Sequence, residues 1–159
     1  MIKTYYPLIL IFSYILGMTA FIELTAGEFD LMRWMSHFMS GFFLVFSFFK
    51  LLDLSGFAKA YATYDIVAKK IKIYGFIYPF LELGLGVLFA LKIAPLYTNI
   101  FTLVLMSVST IGVVQTLRIK SDFQCACLGT IFKLPMTRIT LFEDLLMVLM
   151  SFAMILMLI

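Results

Sequence analysis

The chain carries two cysteines, and they stand two apart, Cys125-Ala126-Cys127, in the run FQCACLGT. Thiolates are soft ligands suited to Cu(I) and related ions. They are also the working groups of disulfide exchange. Both chemistries need two sulfurs within reach of each other, and a C-x-C pair in a loop meets that need. Arg118, Lys120 and Lys133 lie close in sequence and would lower a thiol pKa. Cys125 and Cys127 are therefore the candidate catalytic pair of a redox protein and, equally, candidate ligands of a soft metal. The plainer reading is two buried thiols that only pack.

Three other places could bear chemistry. Glu82 falls midway through an apolar run, YPFLELGLG. An ionisable residue at that depth is costly and is a functional candidate by default. Its plainer role is a neutral carboxyl bonded to a facing helix, with Ser107, Ser109 or Thr110 as partner. Met32, Met35 and Met39 share one helical face at i, i+3 and i+7, and thioethers bind Cu(I) without losing a proton. His37, the one histidine, is accessory at best, because it turns away from that face. The same methionines, among 11 in the chain, also read as adaptable packing. Glu143 and Asp144 follow Thr140 with capping-box spacing, and Thr137 is another candidate cap. Both acids are then expected in the first turn of the last helix. There they compensate the helix dipole, or one of them forms a proton or cation site beside the cysteine loop.

The elements that must position these residues are apolar helices. Of the 159 residues 64% are hydrophobic and only 13% charged, which excludes an ordinary water-soluble domain, a disordered chain and a disulfide scaffold. A net charge of +3 without a basic stripe excludes a nucleic-acid partner. Five stretches approach the length needed to cross a bilayer, at about 5–23, 32–52, 73–91, 96–117 and 139–159. None alternates as a barrel strand would, so the expected fold is an all-α polytopic transmembrane bundle of four to five spans, five preferred. The first run is too long for a signal peptide and has no A-x-A-like cleavage site after it, so it reads as a retained helix. The whole chain, 1–159, reads as one helical domain whose principal partner is the lipid bilayer.

Loop charge suggests the orientation. Lys59, Lys69, Lys70 and Lys72, flanked by Lys50, lie in the second loop, and Arg118, Lys120, Lys133 and Arg138 in the fourth. With Lys3 near the start, five spans put these charges on one side, so the expected arrangement has the N-terminus and the C-x-C loop, about 118–137, in the cytoplasm of a bacterial inner membrane. The segment at about 53–72 has a helical rhythm with a polar face and reads as an amphipathic interfacial helix, its lysines toward anionic headgroups or simply anchoring the positive side. No P-loop, dinucleotide fingerprint, G-x-S-x-G or HExxH occurs.

Three runs together resemble the MauE/DoxX-like group of small redox-associated membrane proteins. They are GFFLVFSFFKLLDLSGFAKAYATYDI, YGFIYPFLELGLGVLFAL, and CACLGT followed by LPMTRITLFEDLLM. The resemblance implies a bundle similar in outline to membrane disulfide oxidoreductases, with Cys125 and Cys127 as the redox pair. It implies a role in maturing a partner protein or keeping its redox state, with a second cysteine pair or a quinone as electron acceptor. It assigns no role to Glu82. The residues read without the resemblance keep two alternatives open. One is Cu(I) binding or transport by the Met32/Met35/Met39 face, Glu82 and the Cys125/Cys127 pair, with a metallochaperone as partner. The other is a non-catalytic assembly partner. The redox reading expects a partner protein thiol.

Overall fold

The computed structural model describes residues 2–119, 124–125, 128, 134–135 and 138–159. Six helices lie among them: α1 Ile2–Ala26, α2 Leu31–Leu52, α3 Leu54–Tyr61, α4 Lys72–Leu91, α5 Pro95–Ile119 and α6 Arg138–Leu158. All except α3 are long and apolar enough to cross a membrane. The architecture is the all-α bundle of five spans that the hydropathy predicts. Its one addition is an antiparallel ladder between β1, Gln124–Cys125, and β2, Leu134–Pro135.

Local chemistry sets the helix ends. Asp30 caps α2, its side chain accepting from the Met32 N–H at 2.9 Å. Asp53 ends α2 and opens α3, accepting from the Gly56 N–H at 3.0 Å. This answers donors that a helix start leaves unpaired. Lys92 closes α4 in the left-handed conformation at φ 54°, and Pro95, which needs no N–H partner in a first turn, opens α5.

Helix α2 is the hub, packing against α1, α3, α4 and α6, while α5 lies along α6. Between apolar helices in lipid, close packing and internal hydrogen bonds must supply the cohesion. Gly86 of α4 provides one such approach. A methyl group there would stand 2.8 Å from Leu44 Cγ and 3.0 Å from the Leu44 backbone nitrogen. Ser40 of α2 donates to the Gly86 carbonyl at 2.8 Å in the same register. Aromatic rings fill the interior beside it, Phe42 stacking on Phe46 at 4.2 Å with Phe12 of α1 edge-on to both.

The chain after α3 folds back into the bundle end. Asp65 turns it, one carboxylate oxygen accepting from the N–H groups of Val67 and Ala68 at 2.9 and 2.8 Å. Phe57, Tyr61, Tyr64 and Ala68 are buried, whereas Lys59, Lys69, Lys70 and Lys72 are all exposed. Lys50 departs from the sequence expectation: it does not join that exposed loop charge but is buried in the last turn of α2.

The acids of the last helix also depart from expectation. Helix α6 begins at Arg138, so Glu143 and Asp144 lie in its second turn and Thr140 lies inside it. The capping-box placement is therefore not adopted, and Thr137, the other candidate cap, lies outside the described residues.

A buried polar site under the loop end

Lys50 and Glu82 form the centre of the site. The Lys50 ammonium lies 2.6 Å from both carboxylate oxygens of Glu82, joining the end of α2 to the middle of α4. The residues are 5% and 1% exposed. Neither charge is tenable alone at that depth, so each is the condition of the other. The ammonium also sits 5.1 Å from the Tyr78 ring centroid and 5.5 Å from that of Phe57, which adds cation–π attraction. The sequence placed Glu82 opposite Ser107, Ser109 or Thr110. The structure instead gives it the lysine, and the Ser109 hydroxyl donates to Asp144 of α6 at 3.2 Å.

Around this pair is a cavity of about 20 Å³, enough for one water molecule. Glu82, Glu143 and Asp144 supply three carboxyl groups to its wall, and Lys50 supplies the one ammonium among the described residues. Tyr61 closes it from α3, its ring 4.6 Å from Tyr78 and 5.1 Å from Phe57. Burial, with Tyr78 alongside, pushes the Tyr61 phenol well above its usual range, so it is a neutral donor. Tyr61 Oη, Glu143 Oε1 and Asp65 Oδ2 are buried with no hydrogen-bond partner among the described residues.

The structure thus brings together three of the candidate site residues, Glu82, Glu143 and Asp144, with Ser109 and Thr140, and adds Lys50, Tyr61 and Tyr78 to them. Lys50 at the edge of a span reads as a snorkelling anchor, and Tyr61 as part of a surface helix. The available signal was the pair of opposite charges, Lys50 and Glu82, each placed within an apolar run.

Cys125 belongs to β1, paired with Leu134 of β2, and β1 lies against α3, at the end of the bundle that holds the buried site. The Cys125 side chain and the whole of Cys127 lie outside the described residues. The methionine face is elsewhere. Met35 and Met39 are buried in the core, near the opposite end of α2 from Lys50. Fifteen positions of helix separate Met35 from Lys50, about 22 Å. Met32 is half-buried and lines a separate cavity of about 210 Å³ with Arg33, Lys92 and Asn99. His37 is half-buried on the same helix. At that end Arg33 grips Glu23 with two hydrogen bonds of 2.8 Å, tying α1 to α2. No group of three or more His, Cys, Asp or Glu suited to a metal ion occurs among the described residues.

Five apolar spans enclosing a paired charge and an acid-rich cavity define a polytopic helical membrane protein with a buried polar site. The chain belongs to the MauE family: the family model described as methylamine utilisation protein MauE matches residues 29–158. That range runs from the residue before the α2 cap through α6 and contains every residue that lines the cavity. No curated protein and no solved structure matches the chain.

Proposed function

We propose that this MauE-family protein carries out thiol–disulfide exchange at the membrane through Cys125 and Cys127. The observation that carries the reading is the C-x-C pair itself, its first member in a strand held between β2 and α3. A thiolate of the pair attacks a disulfide of a partner protein. The partner's S–S bond breaks as a mixed disulfide forms, and the leaving sulfur takes up a proton. The second cysteine then displaces the partner, closing Cys125–Cys127 and releasing a second thiol. Two electrons pass to the partner, which is reduced as the pair is oxidised. In the reverse direction a partner dithiol becomes a disulfide. The small ring closed by a C-x-C disulfide is strained, which raises its reduction potential and makes it a disulfide donor.

The proposed setting is a bacterial inner membrane, with the N-terminus and the C-x-C loop on the cytoplasmic side. The exposed lysines beside that loop support this orientation.

The test is a redox titration of the purified full-length protein, with free thiols counted by mass tagging, alongside the single variants C125S and C127S. The expected result is one two-electron transition in the wild type and a trapped mixed disulfide with a partner in one single variant. Thiols that never oxidise in the titration, or that Cu(I) protects without any disulfide forming, would overturn the reading.

A further inference from the structure

We propose that the cavity beside Lys50 is a proton-binding site, in which Glu143 and Asp144 together hold a proton at neutral pH. This inference does not depend on the thiol chemistry. It begins from a charge balance. Among the described residues, three carboxyl groups and one ammonium line the cavity. Lys50 is committed to Glu82 through both carboxylate oxygens. That leaves Glu143 and Asp144 adjacent in sequence, 3% and 7% exposed, with one neutral hydroxyl, that of Ser109 on α5, donating to Asp144. Two neighbouring anions without a cation are not tenable at that depth.

Two unpartnered polar atoms in the cavity wall indicate a ligand. Glu143 Oε1 has no hydrogen-bond partner among the described residues, and neither has Tyr61 Oη, which is 2% exposed. The cavity between them has room for one water molecule, which would join the Tyr61 hydroxyl to the Glu143 carboxyl. A metal cation would suit two carboxylates, but the Lys50 ammonium lines the same small space and repels one. A proton lowers the excess from two negative charges to one and adds a donor.

The groups facing the pair are Lys50 of α2, Tyr61 of α3, Tyr64 in the turn after it, and Tyr78 and Glu82 of α4. Asp65 of the same turn is close behind Tyr61. α1 offers Leu8, Phe12 and Ser13 beside Glu143 in an apolar groove, and among the described residues no ionisable side chain of α1 lines it.

Infrared spectroscopy of the full chain in lipid nanodiscs tests this. At neutral pH, exposed carboxyl groups are ionised, so a carboxylic-acid carbonyl band reports a buried proton. We expect the band in the wild type, with most of its amplitude lost in Glu143→Gln or Asp144→Asn and retained when sodium is added. Absence of the band would overturn the proposal. So would a band untouched by both variants, or one abolished by sodium, which would indicate a cation site. If the variants do not fold, wild-type protein labelled with carbon-13 aspartate or glutamate decides. A band moved by either label supports the site, provided that a carbodiimide adduct maps to Glu143 or Asp144, whereas an adduct on Glu82 alone overturns it.

Discussion

Lys50 and Glu82 hold each other in the interior, and each is costly without the other. Replacing one leaves an uncompensated charge, so Lys50→Ala or Glu82→Ala should destabilise the protein by about 3–5 kcal/mol. Replacing both by apolar residues of similar size removes the charge problem. K50M combined with E82L should recover most of that loss, and denaturant unfolding in detergent micelles measures the cycle. A double variant no more stable than the singles would mean that the pair does more than satisfy itself. The neighbouring acids differ in kind: Asp144 has the Ser109 hydroxyl, whereas one oxygen of Glu143 has no partner among the described residues.

At the scale of elements, small residues decide which helices can approach. A methyl group at Gly112 would meet the Tyr64 carbonyl oxygen at 2.9 Å and Asp65 Cα at 3.2 Å, both backbone atoms that cannot rotate away. Gly112 of α5 therefore seats the turn that follows α3. Gly112→Ala should cost about 1–3 kcal/mol and increase amide hydrogen exchange across residues 62–71. Gly84 faces open space, with nothing within 4 Å of an added methyl group. Gly84→Ala should leave stability unchanged or raise it slightly, since alanine is the better helix former. Equal losses at the two glycines would remove the packing explanation. The same contact explains why the 53–72 segment was only half legible. Its lysines are exposed, but Phe57, Tyr61, Tyr64 and Asp65 are buried against a bundle whose presence the local pattern does not encode.

For the whole molecule, the prediction concerns which side of the membrane the loop end faces. The positive loops predict that Cys125 and Cys127 react with an impermeant maleimide only after intact cells or spheroplasts are permeabilised. Labelling from outside would invert the orientation and move the proposed exchange to the extracytoplasmic side. The buried site lies at that same end, since α2 enters it with Lys50, and α3 covers it with Phe57 and Tyr61. The family match covers this whole assembly and leaves out all of α1. The Glu23–Arg33 clamp at the other end, with Phe12 packed against Phe42 and Phe46, fastens α1 to the part of the chain the family model matches.

The five spans follow from composition alone. A run of about 20 apolar residues has few alternatives to a membrane helix, and the observed ends lie within a few residues of the expected ones. Glu82 was equally legible, because a charge within such a run is conspicuous wherever it points. Its partner was not. Lys50 is 32 residues away, and only the antiparallel packing of α2 on α4 brings it to Glu82 instead of a serine on α5. The grouping of Glu143, Asp144 and Tyr61 around one cavity likewise depends on α3 and α6 meeting there. Hydrophobic periodicity acts along one helix at a time, so the chain's own pattern determined its passage through the membrane. Which buried charges face one another depends on distances between helices, and those were decided only by the packed bundle.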